Sequence, residues 1–223
     1  MTTLLLLRHG QVASHRGDIG VTAEGMLTAL EVGRSLAGRA PGGLIRILSG
    51  ETRRTRDTAT AVARGAQEAG ANVALDGVTF ALRNPDLYVA GVRVDMVSSE
   101  AAFAAQIPGF EESDMAGIAF IKEWLSVPDR VGWWVAHPDP PGDDASAVAA
   151  RIEAFAASLA DRQDTHALTV GITHSPVLRA CALRATGSDP GEPPWLAGLE
   201  VDISEDRSIS FRVLPDAPLT ARN

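Results

Sequence analysis

Hydrophobic positions along the chain fall into short continuous runs separated by longer stretches with helical spacing. Residues 4–7 are four leucines, too few for a helix, and they stop at Arg8-His9-Gly10. This predicts a buried strand with polar chemistry at its C-terminal end. Thr22 precedes a stretch in which Met26, Leu27, Leu30, Val32 and Leu36 supply an apolar side, closed by Gly38, Pro41 and Gly42, so Thr22 is the expected N-cap. A second buried strand is expected at 44–48, followed by Ser49-Gly50 and an arginine-studded helix over about 52–69. Strand, helix, strand, helix is the pattern of a parallel sheet.

After short apolar pieces at 73–75 and 80–82 the pattern loosens. Pro85, Pro108, Pro128, Pro138, Pro140 and Pro141 punctuate short helical stretches such as 115–125, and this middle third reads as an insertion over the sheet's edge. Regular order returns with a helix over about 143–160, a strand at 167–172 and a helix after Pro176, which is well placed near a first helical turn. Segments 199–203 and 208–213 alternate as paired strands. The fold class expected is α/β: a three-layer α/β/α sandwich with a mostly parallel central sheet, one domain over 1–223 with a partly helical insertion at about 83–140.

Composition narrows the function classes. With 223 residues, 45% hydrophobic and 22% charged, the chain is globular in type rather than disordered or membrane-embedded. No apolar run approaches a membrane span. The net charge of −8 opposes general nucleic-acid binding, so an anionic ligand must be met by a local cationic pocket. Lys122 is the only lysine, and arginine, the better fork for phosphate oxygens, supplies the remaining cations. A lone cysteine, Cys181, forms no internal disulfide and reads as a small buried hydrophobe; a cytoplasmic location is the default expectation.

Two histidines share one setting. His9 and His174 each lie just beyond a predicted buried strand, where open parallel sheets bind ligands. Arg8 is beside the first, and Arg54 opens the helix after the second strand. Together with this order, Leu4-Leu5-Leu6-Leu7-Arg8-His9-Gly10, Thr22 with Gly25, Ala29 and Gly33, Arg54-Thr55-Arg56-Asp57-Thr58-Ala59, Gly142-Asp143-Asp144 leading to Arg151, and Gly171-Ile172-Thr173-His174-Ser175 make the chain similar to the histidine phosphatase superfamily, in its phosphoglycerate mutase-like branch.

The resemblance implies a phosphoryl-accepting nucleophile at His9, a clamp of Arg8 and Arg54 on phosphoryl oxygens, and His174 as a further donor. Gly10, Gln11, Ser14, His15 and Ser175 would surround the phosphate. It implies a metal-independent phosphatase for a small phosphomonoester, with no cofactor; a phosphoglycerate-type mutase is the alternative. The family's acid is usually a glutamate in a Leu-x-Glu setting, whereas Leu82-Arg83-Asn84 places an amide there. Asn84 has no titrating proton, which makes Asp86 the expected acid and a divergent anion-binding protein a third reading. Glu51, Glu111 and Glu112 are secondary candidates for the acid. Trp133 and Trp134 fit either a substrate pocket or a core. A phosphorylated small molecule is the expected partner, with no nucleic acid or membrane; a homodimer is compatible with the pattern but required by no part of it.

Overall fold

The computed structural model describes residues 2–15, 17–162 and 168–214. Its elements begin with β1 (Thr2–Arg8), α1 (Ala23–Ala37), β2 (Leu44–Ser49), α2 (Arg53–Glu68) and β3 (Asn72–Val78), then a single 3-10 turn at Phe80–Leu82. The middle of the chain forms β4 (Leu87–Val89), β5 (Val92–Val94), α3 (Glu100–Ala104), α4 (Glu112–Met115), α5 (Ala119–Ser126) and α6 (Arg130–Ala136). The remainder is α7 (Ala145–Leu159), β6 (Leu168–Thr173), α8 (Ser175–Thr186), β7 (Gly198–Ile203) and β8 (Ile209–Val213).

Six strands form one sheet in the order β3-β2-β6-β1-β7-β8. The first four run parallel, β7 runs antiparallel to β1, and β8 runs antiparallel to β7. The leucine run is continuous because β1 is covered on both faces. Leu5 and Leu7 enter the core beneath α1 and α2, while Leu4 and Leu6 enter the core shared with α7 and α8. Thr22 caps α1 by accepting from Gly25 N at 3.1 Å, and Asp144 caps α7 by accepting from Ala147 N at 2.7 Å.

Two glycines let α1 and α2 touch backbone to backbone. A Cβ on Gly65 would stand 1.9 Å from the Leu30 carbonyl oxygen, and one on Gly33 would stand 2.1 Å from that of Val62. Their absent side chains fix α2 against α1 and set its first turn beside the C-terminal end of β1.

The middle segment departs from expectation. It does not sit over an edge strand: Leu87, Val89, Val94, Phe103, Trp124 and Trp134 join the core that Leu4 and Leu6 share with Val148, Ile152, Val177 and Leu178. The segment thus thickens the α7–α8 layer, because its apolar side chains have that face to bury against. It opens with a hairpin, β4–β5, that the sequence pattern did not show; its turn residues Ala90 and Gly91 have φ of 50° and 78°. The helix expected over 115–125 is two pieces, α4 and α5, interrupted around Gly117. Ala167, placed at the start of a strand from sequence, lies outside the described residues.

Candidate active site

Three parallel strand ends build the site. β1 delivers Arg8 and then His9, whose backbone N–H donates to Thr173 O at 3.0 Å at the end of the adjacent β6. β6 delivers His174, and the turn after β2 leads into α2 with Arg54 in its first turn. Small hydrogen bonds lock these pieces. Gly10 N donates to Thr58 Oγ1 at 2.9 Å, Thr58 Oγ1 donates to Arg54 O at 2.6 Å, and Thr55 Oγ1 donates to Gly50 O at 2.8 Å. The buried threonines of α2 therefore hold the loop after His9 and the arginine in one frame. Of the three neighbouring arginines, Arg54 is 7% exposed and lines the cavity, whereas Arg53 and Arg56 face solvent.

Arg8, His9, Arg54 and His174 line a cavity of about 330 Å³. The rings of His9 and His174 lie 5.4 Å apart, edge to face. His9 Nδ1 is 2.9 Å from Gly10 O, an acceptor only, so Nδ1 carries the hydrogen and Nε2 keeps its lone pair. Burial, reinforced by the charge of Arg54, holds both histidines well below the ordinary imidazole value, so both are neutral near pH 7. Burial also pushes Arg8 down to about 10, still fully charged near neutrality. Four buried nitrogens of residues lining this one cavity, Arg8 Nε, Arg54 Nε, Arg130 Nε and His174 Nε2, bond nothing among the described residues. Unsatisfied buried polar groups are costly and uncommon, and four lining one cavity form an anion cradle.

The family model for the histidine phosphatase superfamily (branch 1) matches residues 4–76 and 105–205. The chain belongs to that family. No curated protein matches the sequence. Among solved structures, a mycobacterial glucosyl-3-phosphoglycerate phosphatase complexed with inorganic phosphate superposes with a TM-score of 0.60 at 18% identity, covering 100% of both chains. A phosphoglycerate mutase from Bacillus anthracis gives 0.58 at 15% identity, over 96% of this chain and 92% of that one. A mutant phosphoserine phosphatase from Entamoeba histolytica, in complex with phosphoserine, gives 0.55 at 14% identity, over 95% of each chain. At these identities the likeness is one of fold.

The matched stretches of this histidine phosphatase family member skip residues 77–104, and it is there that the expected acid needs correction. Asp86 does not line the cavity. Its carboxylate accepts from Arg83 Nε at 3.0 and 3.1 Å and from Arg83 Nη2 at 2.5 Å, and it is bonded by Arg93 Nε as well. The Arg83 hydrogen bonds, followed by those from Arg93, hold it down at about 2, so it has no proton to give near neutral pH. Asn84 is the residue that faces the cavity, and it is 3% exposed. Asp143 and Arg151 serve this segment: Asp143 Oδ2 accepts from Asp86 N and from Arg151 Nη1, each at 3.0 Å, while Arg151 Nη2 donates to Arg83 O at 2.8 Å.

The other expected residues divide. His15 and Ser175 line the cavity, whereas Gln11 and Ser14 do not, and Gly10 contributes through its backbone. Ser175 Oγ is committed to Glu192 Oε2 at 2.5 Å. Glu111 and Glu112 stand at the start of α4, outside the cavity, and Glu51 pairs with Arg93 at 3.1 Å. Trp134 is core, its indole donating to Asp143 O at 3.1 Å, and Trp133 packs on Phe120 and His137. His166 lies outside the described residues. Cys181 is fully buried, and burial raises its thiol well above the ordinary value, consistent with an inert hydrophobe.

Sequence reading missed the loop between α8 and β7. Trp195 lies under the Arg8 guanidinium, 3.6 Å from ring centroid to Cζ, and stacks on His15 at 5.8 Å. Glu192 pairs with Arg8 at 2.6 Å, and Pro193 O accepts from Arg8 Nη1. These contacts use both terminal nitrogens of Arg8 and leave its Nε for the cavity. The one available signal was a tryptophan isolated among glycine and prolines, with no apolar periodicity to explain it as core. Among the described residues, no cluster of histidine, cysteine and carboxylate side chains has metal-binding geometry, and no helix is long and apolar enough to cross a membrane.

Proposed function

We propose that the protein is a metal-independent phosphatase that hydrolyses a small phosphomonoester through a phosphohistidine on His9. The observation that carries this reading is that three of the cavity's four unpartnered buried donors, Arg8 Nε, Arg54 Nε and His174 Nε2, belong to the strand ends around a neutral histidine with a free Nε2. A phosphoryl group supplies oxygens for all three. Its negative charge also reverses the electrostatic reason for His174 being neutral, so bound phosphate favours a protonated, donating imidazole.

In the first step His9 Nε2 forms a bond to phosphorus, the phosphorus–oxygen bond to the alcohol breaks, and its electron pair leaves on that oxygen. Nδ1 keeps its hydrogen and donates it to Gly10 O, which spreads the positive charge of the phosphoimidazole. Water then attacks phosphorus, the phosphorus–nitrogen pair returns to His9, and phosphate is released. Arg8 and Arg54 neutralise charge on the transferring group throughout, the dominant contribution in phosphoryl transfer.

The test is phosphate release from p-nitrophenyl phosphate in the presence of a chelator. The native protein turns over and His9→Ala does not, while His9→Ala still gains thermal stability from inorganic phosphate, which shows an intact cradle. Retained turnover in His9→Ala, or turnover abolished by the chelator, overturns the mechanism.

A further inference from the structure

The cavity has an amide where a proton donor is expected and a mostly apolar wall on the side of the middle segment. Asn84 is buried at the cavity, and its side chain makes no hydrogen bond among the described residues. It can donate an N–H but cannot release a proton. The two carboxylates that share the cavity are both engaged. Asp129 accepts from Arg179 Nη1 and Nη2 at 2.7 Å each and from Gly132 N at 2.9 Å. Glu192 pairs with Arg8 and accepts from Ser175 Oγ. In the adjoining cavity beside Arg54 and His15, which His9 does not line, Asp18 accepts from Arg53 N at 2.7 Å, and Asp95 lies 3.6 Å from Arg93 with its buried Oδ1 making no hydrogen bond among the described residues.

The wall comes from the middle segment: Met96 and Val97 after β5, Trp124 on α5, Pro128, and Val131 on α6 are its apolar residues, and Ser98, the engaged Asp129 and Arg130, whose Nε bonds nothing among the described residues, are its polar ones. Trp124 gives its one donor to Val97 O at 2.7 Å, so its indole offers the cavity only ring surface. A cavity of about 330 Å³ holds a phosphate and a single ring.

We propose that the preferred substrates are small aryl phosphomonoesters, whose leaving oxygen departs as a phenolate without a proton from the enzyme and whose ring packs on the wall of Met96, Val97, Trp124, Pro128 and Val131. This rests on the phosphohistidine reading. His9 Nε2 bonds to phosphorus, the phosphorus–oxygen bond breaks with its electron pair on the phenolate, and the phenolate takes its proton from solvent after release. A phosphorylated sugar or polyol has a strongly basic leaving oxygen and a polar body, for which the wall offers only Ser98 and Arg130 beside the engaged Asp129. General acid help is typically worth about a hundredfold to ten-thousandfold, and its absence falls hardest on such substrates.

The experiment compares kcat/KM for p-nitrophenyl phosphate, acetyl phosphate and glycerol 3-phosphate, in the native protein and in Asn84→Asp. Acetyl phosphate has the better leaving group but no ring, so p-nitrophenyl phosphate ranks first only if the apolar wall contributes. The order expected is p-nitrophenyl, acetyl, then glycerol, with the last at least about a hundredfold below the first. Asn84→Asp is expected to raise glycerol 3-phosphate turnover at least about tenfold by supplying a carboxyl at the cavity. Comparable rates on glycerol 3-phosphate and p-nitrophenyl phosphate, or no gain in Asn84→Asp, overturn departure without a proton; acetyl phosphate in first place overturns the aryl preference. Phosphate release from none of the three refutes instead the phosphohistidine reading on which the proposal rests.

Discussion

Replacing Asp86 with asparagine separates a catalytic carboxyl from a structural one. The carboxylate lies between Arg83 and Arg93 with its side chain only 13% exposed, so solvent screens the pair little. It is held at about 2, against about 3.9 for a free aspartate, and at 1.36 kcal/mol per unit this corresponds to about 2.5 kcal/mol of stability. Because the folded-state value is the depressed one, this contribution is complete above the unfolded value near 3.9 and disappears as pH falls through about 2. The difference between native protein and Asp86→Asn is therefore expected to be constant from pH 7 to 5 and to shrink below pH 4. At neutral pH it amounts to roughly 5–10 °C in melting temperature for a chain of this size. Urea denaturation of both proteins at pH 7, 5 and 3, beside turnover of p-nitrophenyl phosphate, measures both effects. A hundredfold loss of kcat with coincident denaturation midpoints would refute the structural assignment and restore Asp86 as the acid.

Two further outcomes follow from the packing and the charges. Gly65→Ala gains up to about 1 kcal/mol of helix propensity but drives a Cβ to within 1.9 Å of Leu30 O, so a net loss of about 1–3 kcal/mol is expected in chemical denaturation, and any rise in stability contradicts the close α1–α2 contact. His9 and His174 are held neutral in the fold but ionise near 6.5 when unfolded, so below pH 6.5 the unfolded state binds more protons and stability falls with pH. The slope approaches about 1.4 kcal/mol per pH unit for each histidine between pH 6.5 and 5; a flat profile over that window rules out buried neutral imidazoles.

Much of the fold was legible because its signals are local. The leucine run of β1, the cap at Thr22, the helix after Pro176 and the alternation in β7 and β8 depend on neighbouring residues, and the structure has each. The middle segment was less legible. Its hairpin strands have three residues each, and its helices are short, so periodicity has too few repeats to show. Its placement against the α7–α8 layer came from burial with partners outside the segment, on β1, α7 and α8.

The candidate site divides in the same way. The sequence by itself determined that Arg8, His9, Arg54 and His174 follow buried strands or open the next helix, and parallel strands ending on one side bring such positions together. Only the tertiary structure decided what each charged group does, because a carboxylate's chemistry depends on the partners that reach it. Arg93, carried on the β4–β5 hairpin, turns back onto Asp86 and makes it a permanent anion, while Asn84, two residues earlier, faces the cavity. Trp195 and Glu192 reach Arg8 across more than 180 residues of chain and fix its guanidinium from beneath and from one edge. Such contacts are set by packing and electrostatics between remote segments, and no local pattern of residues encodes them.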